Sequence, residues 1–173
     1  MDALIEFGKI LLPAGAVLYA MYLVVKSFLT KELEKKLIDV KIKNTDIVLP
    51  VRLQAYERLC LFLERISPNN LVVRLNNASM SAPQFHQVLI AEIRQEFNHN
   101  LSQQVYLSDK SWEMVKSAKE DVISVVNIAA EKLGEDDKSV DLAKKIFELM
   151  MEKNNDPIAI ALKEIKDEIR TSF

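Results

Sequence analysis

Between residues 10 and 25 the chain carries no charged side chain, and Lys9 and Lys26 close the run at its two ends. A stretch this apolar constrains the fold more than any other, because it must be covered by protein or by lipid. The 17 steps from Lys9 to Lys26 measure roughly 25 Å as an α-helix, slightly less than the roughly 30 Å hydrocarbon core of a bilayer. Lysine stems lying along the helix, with Phe7, Phe28 and Leu29 beyond them, make up the difference. Pro13, Gly15, Tyr19 and Tyr22 subtract from the gain supplied by the leucines, isoleucines and valines. The run predicts one membrane-spanning helix within residues 1–29. A cleaved secretory signal fits poorly, since the chain opens with Asp2 and Glu6 rather than with positive charge. A buried core helix remains an alternative at this length, whereas an in-plane amphipathic helix would need a charged face between the lysines.

Lysine placement sets the expected orientation. Lys26, Lys31, Lys35, Lys36, Lys41 and Lys43 follow the run, and only Lys9 precedes it. The positive-inside rule then puts the C-terminal part in the cytosol and the N-terminus outside, in a bacterial inner membrane. The same lysines are candidates for anionic lipid headgroups. Ala16 and Ala20 form a small-xxx-small pair able to pack against another membrane helix.

Three glycines and five prolines in 173 residues argue for long helices rather than a turn-rich β fold. The expected architecture is all-α: the membrane helix, a basic amphipathic juxtamembrane helix or linker over 30–49, and a cytosolic bundle of about five or six helices over 50–173. Residues 1–43 carry seven Lys/Arg and five Asp/Glu, and residues 44–173 carry sixteen and twenty. A mildly acidic domain without a basic stripe is a poor nucleic-acid binder. The single cysteine, Cys60, excludes an intrachain disulfide and a multi-cysteine zinc site; within Leu59-Cys60-Leu61-Phe62 it reads as a small core residue.

Leu29, Leu33, Leu37 and Val40 recur at helical spacing through 27–45. Pro50 offers a helix start, and Leu53, Tyr56, Leu59, Cys60, Leu63 and Ile66 share one side of 51–66. Ser67-Pro68-Asn69-Asn70 breaks that helix, and 71–75 is a short apolar piece of uncertain type. Ser81 and Pro83 start a central helix running to about Val105. Ile90, Ile93, Phe97 and Leu101 form one face of it, and other apolar residues surround its first half. Ser108 caps a helix over 109–133, Gly134-Glu135-Asp136-Asp137 is an acidic break, and 138–153 is helical again. Asn154-Asn155-Asp156-Pro157 stops one helix and restarts the last.

The central helix also carries the sharpest chemical candidates. Glu92, Glu96, His99 and Gln103 lie on one stripe, and Glu96-x-x-His99 has the spacing of a metal-ligating pair in a helical bundle. A di-iron centre needs a second such pair, and the other histidine, His86, lies near the opposite face of the same helix. A solvated polar stripe therefore competes with a metal site. Asn100 and Gln104, with Asn98 and Gln103 beside them, project next to Phe97 and Leu101. Buried amides either fix helix register or receive a partner's backbone. Arg94 is a candidate for a partner's carboxylate or a headgroup, with a structural ion pair as the plainer reading. Ser79, Ser81 and Ser102 have no triad signature, no glycine-rich phosphate loop exists, and Trp112 and Met150-Met151 read as core.

The runs Leu53-Gln54-Ala55-Tyr56-Glu57-Arg58-Leu59 and Glu92-Ile93-Arg94-Gln95-Glu96-Phe97-Asn98-His99-Asn100-Leu101-Ser102-Gln103-Gln104-Val105-Tyr106 resemble a family of small single-span proteins of Bacteroidota. The resemblance covers most of the chain and implies a Gram-negative inner membrane, but it implies no catalytic residue. Three functions follow as expectations. The first is a non-catalytic membrane-anchored accessory or assembly subunit, without cofactor, whose partners are other membrane proteins or further copies of itself. The second is a metal- or small-molecule-binding helical-bundle enzyme using Glu96 and His99 with Glu92. The third is an adaptor for anionic lipids.

Overall fold

The computed structural model describes residues 2–152 and 156–172, with the side chains of 15–39, 47–152 and 156–171. Among the described residues every regular element is helical: α1 (Asp2–Ile66), α2 (Pro68–Leu75), α3 (Ala82–Asn100), a 3₁₀ helix (Leu101–Tyr106), α4 (Asp109–Glu131), α5 (Ser139–Glu152) and α6 (Pro157–Ser172). The chain divides into two compact units, Met1–Leu49 and Pro50–Phe173.

In the first unit, the described side chains of 15–39 are all exposed, among them Val17, Tyr19, Met21, Val24 and Phe28. The spanning helix expected within residues 1–29 is corrected here. Among the described residues, no helix is long and apolar enough to cross a membrane. From Gly15 the uncharged run lasts only to Lys26, and Lys31, Glu32, Glu34, Lys35 and Lys36 follow it. Those residues fall short of the roughly 20 apolar residues that a span requires. The expected start of the run, residues 10–14, lies outside the described side chains.

Pro50 does not start a helix either, because α1 passes straight through it. An interior proline forfeits one backbone hydrogen bond and crowds the preceding turn, at a cost of about 3 kcal/mol.

The second unit is built around a single core. Tyr56, Leu59, Phe62, Leu63 and Ile66 enter it from α1 at helical spacing. Phe85, Leu89 and Ile93 come from α3, and Val115, Val122, Val126 and Ala129 from α4. Leu142 and Ile146 of α5 and Ile158, Ala161 and Ile165 of α6 close it. Leu53 stays exposed, and Cys60 is half-buried. Burial pushes the Cys60 thiol above its ordinary range. α4 packs on α3, α5 and α6. Phe97 joins three elements: its ring lies 5.9 Å from Phe62, stacks on Trp112 at 5.5 Å, and takes the Lys119 ammonium at 4.1 Å.

The joints are closed by local polar chemistry. Ser67 Oγ and Asn70 Nδ2 donate to the Glu64 carbonyl at the end of α1, and Pro68 opens α2. The residues left uncertain at 71–75 belong to that short helix. Gly134 N–H donates to the Asp137 carboxylate across the acidic break. Ala82 N–H then donates to the Asp137 carbonyl, and Ser139 N–H to that of Met80, a short antiparallel bridge between the two loops. The Asp156 carboxylate accepts from Ile158 N–H, so the restart at Asp156-Pro157 has the cap its sequence suggests.

Candidate functional site

α3 begins with a capping box. Ser81 Oγ accepts from Gln84 N–H while the Gln84 side chain accepts from Ser81 N–H. Its end departs from expectation, since the regular helix stops at Asn100 rather than near Val105. The Asn100 backbone turns to φ −103°, ψ 3°, outside the α region, and the chain tightens into the 3₁₀ helix. Asn100 Nδ2 donates to the Glu96 carbonyl oxygen at 2.9 Å, so the buried amide satisfies a carbonyl of its own helix.

Together α3 and the 3₁₀ helix form one wall of a groove, and the last part of α1, about four turns, forms the other. On α1, Val51, Gln54, Ala55, Arg58, Leu61, Phe62 and Arg65 fall on one face, with the i, i+3, i+4, i+7 spacing of a helical stripe. Facing them are Gln95, Glu96, His99 and Asn100 of α3, then Ser102, Gln103, Val105 and Tyr106. Two open cavities of about 450 Å³ each lie along this groove and meet at Arg58.

Charge in the groove is unevenly balanced. Arg65 Nε donates to Glu96 Oε1 at 2.7 Å, and Arg74 Nη1 to Glu92 Oε1 at 2.7 Å, with Arg65 also 3.8 Å from Glu92. Arg58, at the centre, has no ion pair among the described residues. Val105 is 78% exposed and Leu61 55%, so apolar surface faces water along the lip.

A second polar cluster fixes the α1 wall. Tyr56 Oη donates to Glu168 Oε1 at 2.8 Å and accepts from Arg52 Nη2 at 2.9 Å. Glu168 also accepts from Ser108 N–H and Ser108 Oγ, both at 2.9 Å, and so ties α1, the start of α4 and α6 together. Burial pushes the Glu168 carboxyl up, yet the hydrogen bonds it accepts outweigh burial and hold it below the usual carboxylate range. The fully buried Ser111 hydroxyl adds an electrostatic pull while standing outside hydrogen-bonding geometry. Tyr56 is raised above the ordinary phenol value, first by burial and then by its bond to Glu168.

The residues singled out by sequence separate in space. Glu96, His99, Asn100 and Gln103 line the groove, and Glu92 stands behind it in the arginine pairs. Arg94, Asn98 and Gln104 are exposed and outside its lining. His86 Nε2 meets Asn127 Oδ1 at 2.8 Å, linking α3 to α4. Among the described residues no group of three His, Cys, Asp or Glu side chains is placed to hold a metal ion. Lys26, Lys31, Lys35, Lys36, Ala16 and Ala20 are exposed on α1 in the other unit, and the side chains of Lys41 and Lys43 lie outside the described residues.

Arg58, Arg65 and Glu168 are what sequence reading missed. The two arginines stand seven residues apart, a spacing that places them on one face, but alone it does not separate a groove from a solvated side. Glu168 is 112 positions from Tyr56 and has no local signature.

No curated protein and no solved structure matches the chain. A family model, DUF7935, described as a family of unknown function, matches residues 2–172, and the chain belongs to that family.

Proposed function

We propose that the chain is a non-catalytic accessory module whose helical unit docks a segment of another protein in the groove between α1 and α3. The observation that carries this reading is the groove itself: two helical walls, exposed apolar residues at its lip, and a central arginine with no ion pair among the described residues. Both runs that resemble small proteins of Bacteroidota border the groove: 92–106 holds every lining residue of the α3 side, and 53–59 holds Gln54, Ala55 and Arg58 of the α1 side. Glu92 and Glu96 are held by Arg74 and Arg65, and each would have to give up a guanidinium before binding a cation. That weighs against a metal enzyme built on Glu96 and His99.

The first unit supports a membrane-associated place for the module, at the cytosolic face of the inner membrane. Exposed apolar residues from Val17 to Leu29 are followed by Lys31, Lys35 and Lys36, the composition that anionic headgroups attract. Affinity purification of the full chain from gently solubilised membranes tests the docking. A partner in fixed ratio that is lost with Val105→Arg is the expected result. Recovery of the wild-type chain alone, or a partner indifferent to Val105→Arg, would contradict it.

A further inference from the structure

Resting on the docking reading, we infer that the groove's occupant is an acidic amphipathic helix of a different protein, its carboxylate paired with Arg58. Shape gives the first part. The α1 stripe from Val51 to Arg65 extends roughly 21 Å, about four turns, and both walls are helical, so a third helix completes a three-helix seam. Two open troughs joined end to end suit an elongated segment better than a small molecule, which would leave most of its surface in water.

Charge gives the second part. Residues 50–173 carry sixteen Lys/Arg against nineteen Asp/Glu, a net −3. The groove inverts that sign: its lining holds Arg58, Arg65 and one acid, Glu96. Since Glu96 is already spent on Arg65, Arg58 is the cation left for an incoming group. A guanidinium presents a planar donor fork to a carboxylate, and the amides of Gln54 and Gln103 beside it offer further bonds. Apolar anchors on the same helix would cover Leu61 and Val105. A basic helix would instead meet Arg58 with like charge while desolvating it.

The test uses the full chain in mild detergent and three fluorescent helical peptides of about fourteen residues. Their apolar residues are identical, and the central polar position is Glu, Gln or Lys. Anisotropy is expected to show the Glu peptide binding about tenfold more tightly than the Gln peptide, with the Lys peptide weakest. Arg58→Glu should invert that order and Arg58→Gln should flatten it, while Arg94→Glu, exposed on α3 outside the groove, should leave it unchanged. Circular dichroism of each variant verifies folding. Equal binding of all three peptides, displaced by Val105→Arg, overturns the acidic-helix inference and leaves the docking reading standing. An order that Arg94→Glu shifts as much as Arg58→Glu, or no binding by any peptide, also overturns the inference. The docking reading is then decided by the co-purification experiment.

Discussion

Glu168 shows how much one carboxylate contributes when three elements converge on it. It accepts bonds from Tyr56, from the Ser108 amide and from the Ser108 hydroxyl, and its carboxyl is held below the ordinary range. A folded-state value below the unfolded one means stability that is present above the unfolded pKa, about 4.3, and lost as pH falls through the folded one. The wild-type chain should therefore lose urea resistance below about pH 4 through this group. Glu168→Gln should cost about 1–2 kcal/mol at neutral pH, discounted for partial exposure, and should shed part of the acid-side slope. An unchanged slope in Glu168→Gln would show that other carboxylates carry it. The Arg65–Glu96 pair is less consequential because Arg65 is half-exposed, and a double-mutant cycle should return about 0.5–1 kcal/mol.

At the scale of elements, Phe97 is the joint on which α1, α3 and α4 meet. Truncating it to alanine removes contacts with Phe62 and Trp112 and uncovers the Lys119 ammonium. The expected loss is about 3 kcal/mol in denaturant unfolding, and a loss below about 1 kcal/mol would contradict the stack. Pro50 is the weak point of α1. Replacing it by alanine restores a backbone donor and relieves crowding, so amides just after it should exchange more slowly. Faster exchange there would contradict a continuous helix. Most of these elements were legible in sequence because their signals are local. Ser81 with Pro83, Ser108, the acidic break at Gly134 and Asp156-Pro157 each mark a boundary through caps and turns of a few residues. Pro50 misled because an N-terminal proline and a tolerated interior proline look alike without the surrounding chain. Asn100 misled because a helical pattern continues past it, and only its backbone turn and its bond to Glu96 end the helix.

At the scale of the whole chain, local signals run out. Glu96, His99 and Gln103 of one wall were visible as part of a polar stripe, while the partner wall was not, because Arg58 and Arg65 oppose that stripe only through tertiary packing. The apolar run near the N-terminus was conspicuous, yet among the described residues no helix is apolar enough to cross a membrane. What the first unit does present is exposed apolar surface followed by lysines. Lys31, Lys35 and Lys36 should each add about 1 kcal/mol of attraction to anionic vesicles at low salt. Flotation of a triple glutamine variant should fall accordingly and lose its salt sensitivity, and unchanged flotation would remove the headgroup role.

The groove as a docking surface is tested most directly by photocrosslinking in living cells. A photoreactive residue replaces either Val105, 78% exposed at the groove's lip, or Val73, 74% exposed on α2 and outside its lining. Their nearly equal exposure makes position the variable. One discrete adduct from Val105 that is missing from Val73 is the predicted result. Matching adducts at both positions, or none at Val105, would contradict the groove as the place where this protein meets another.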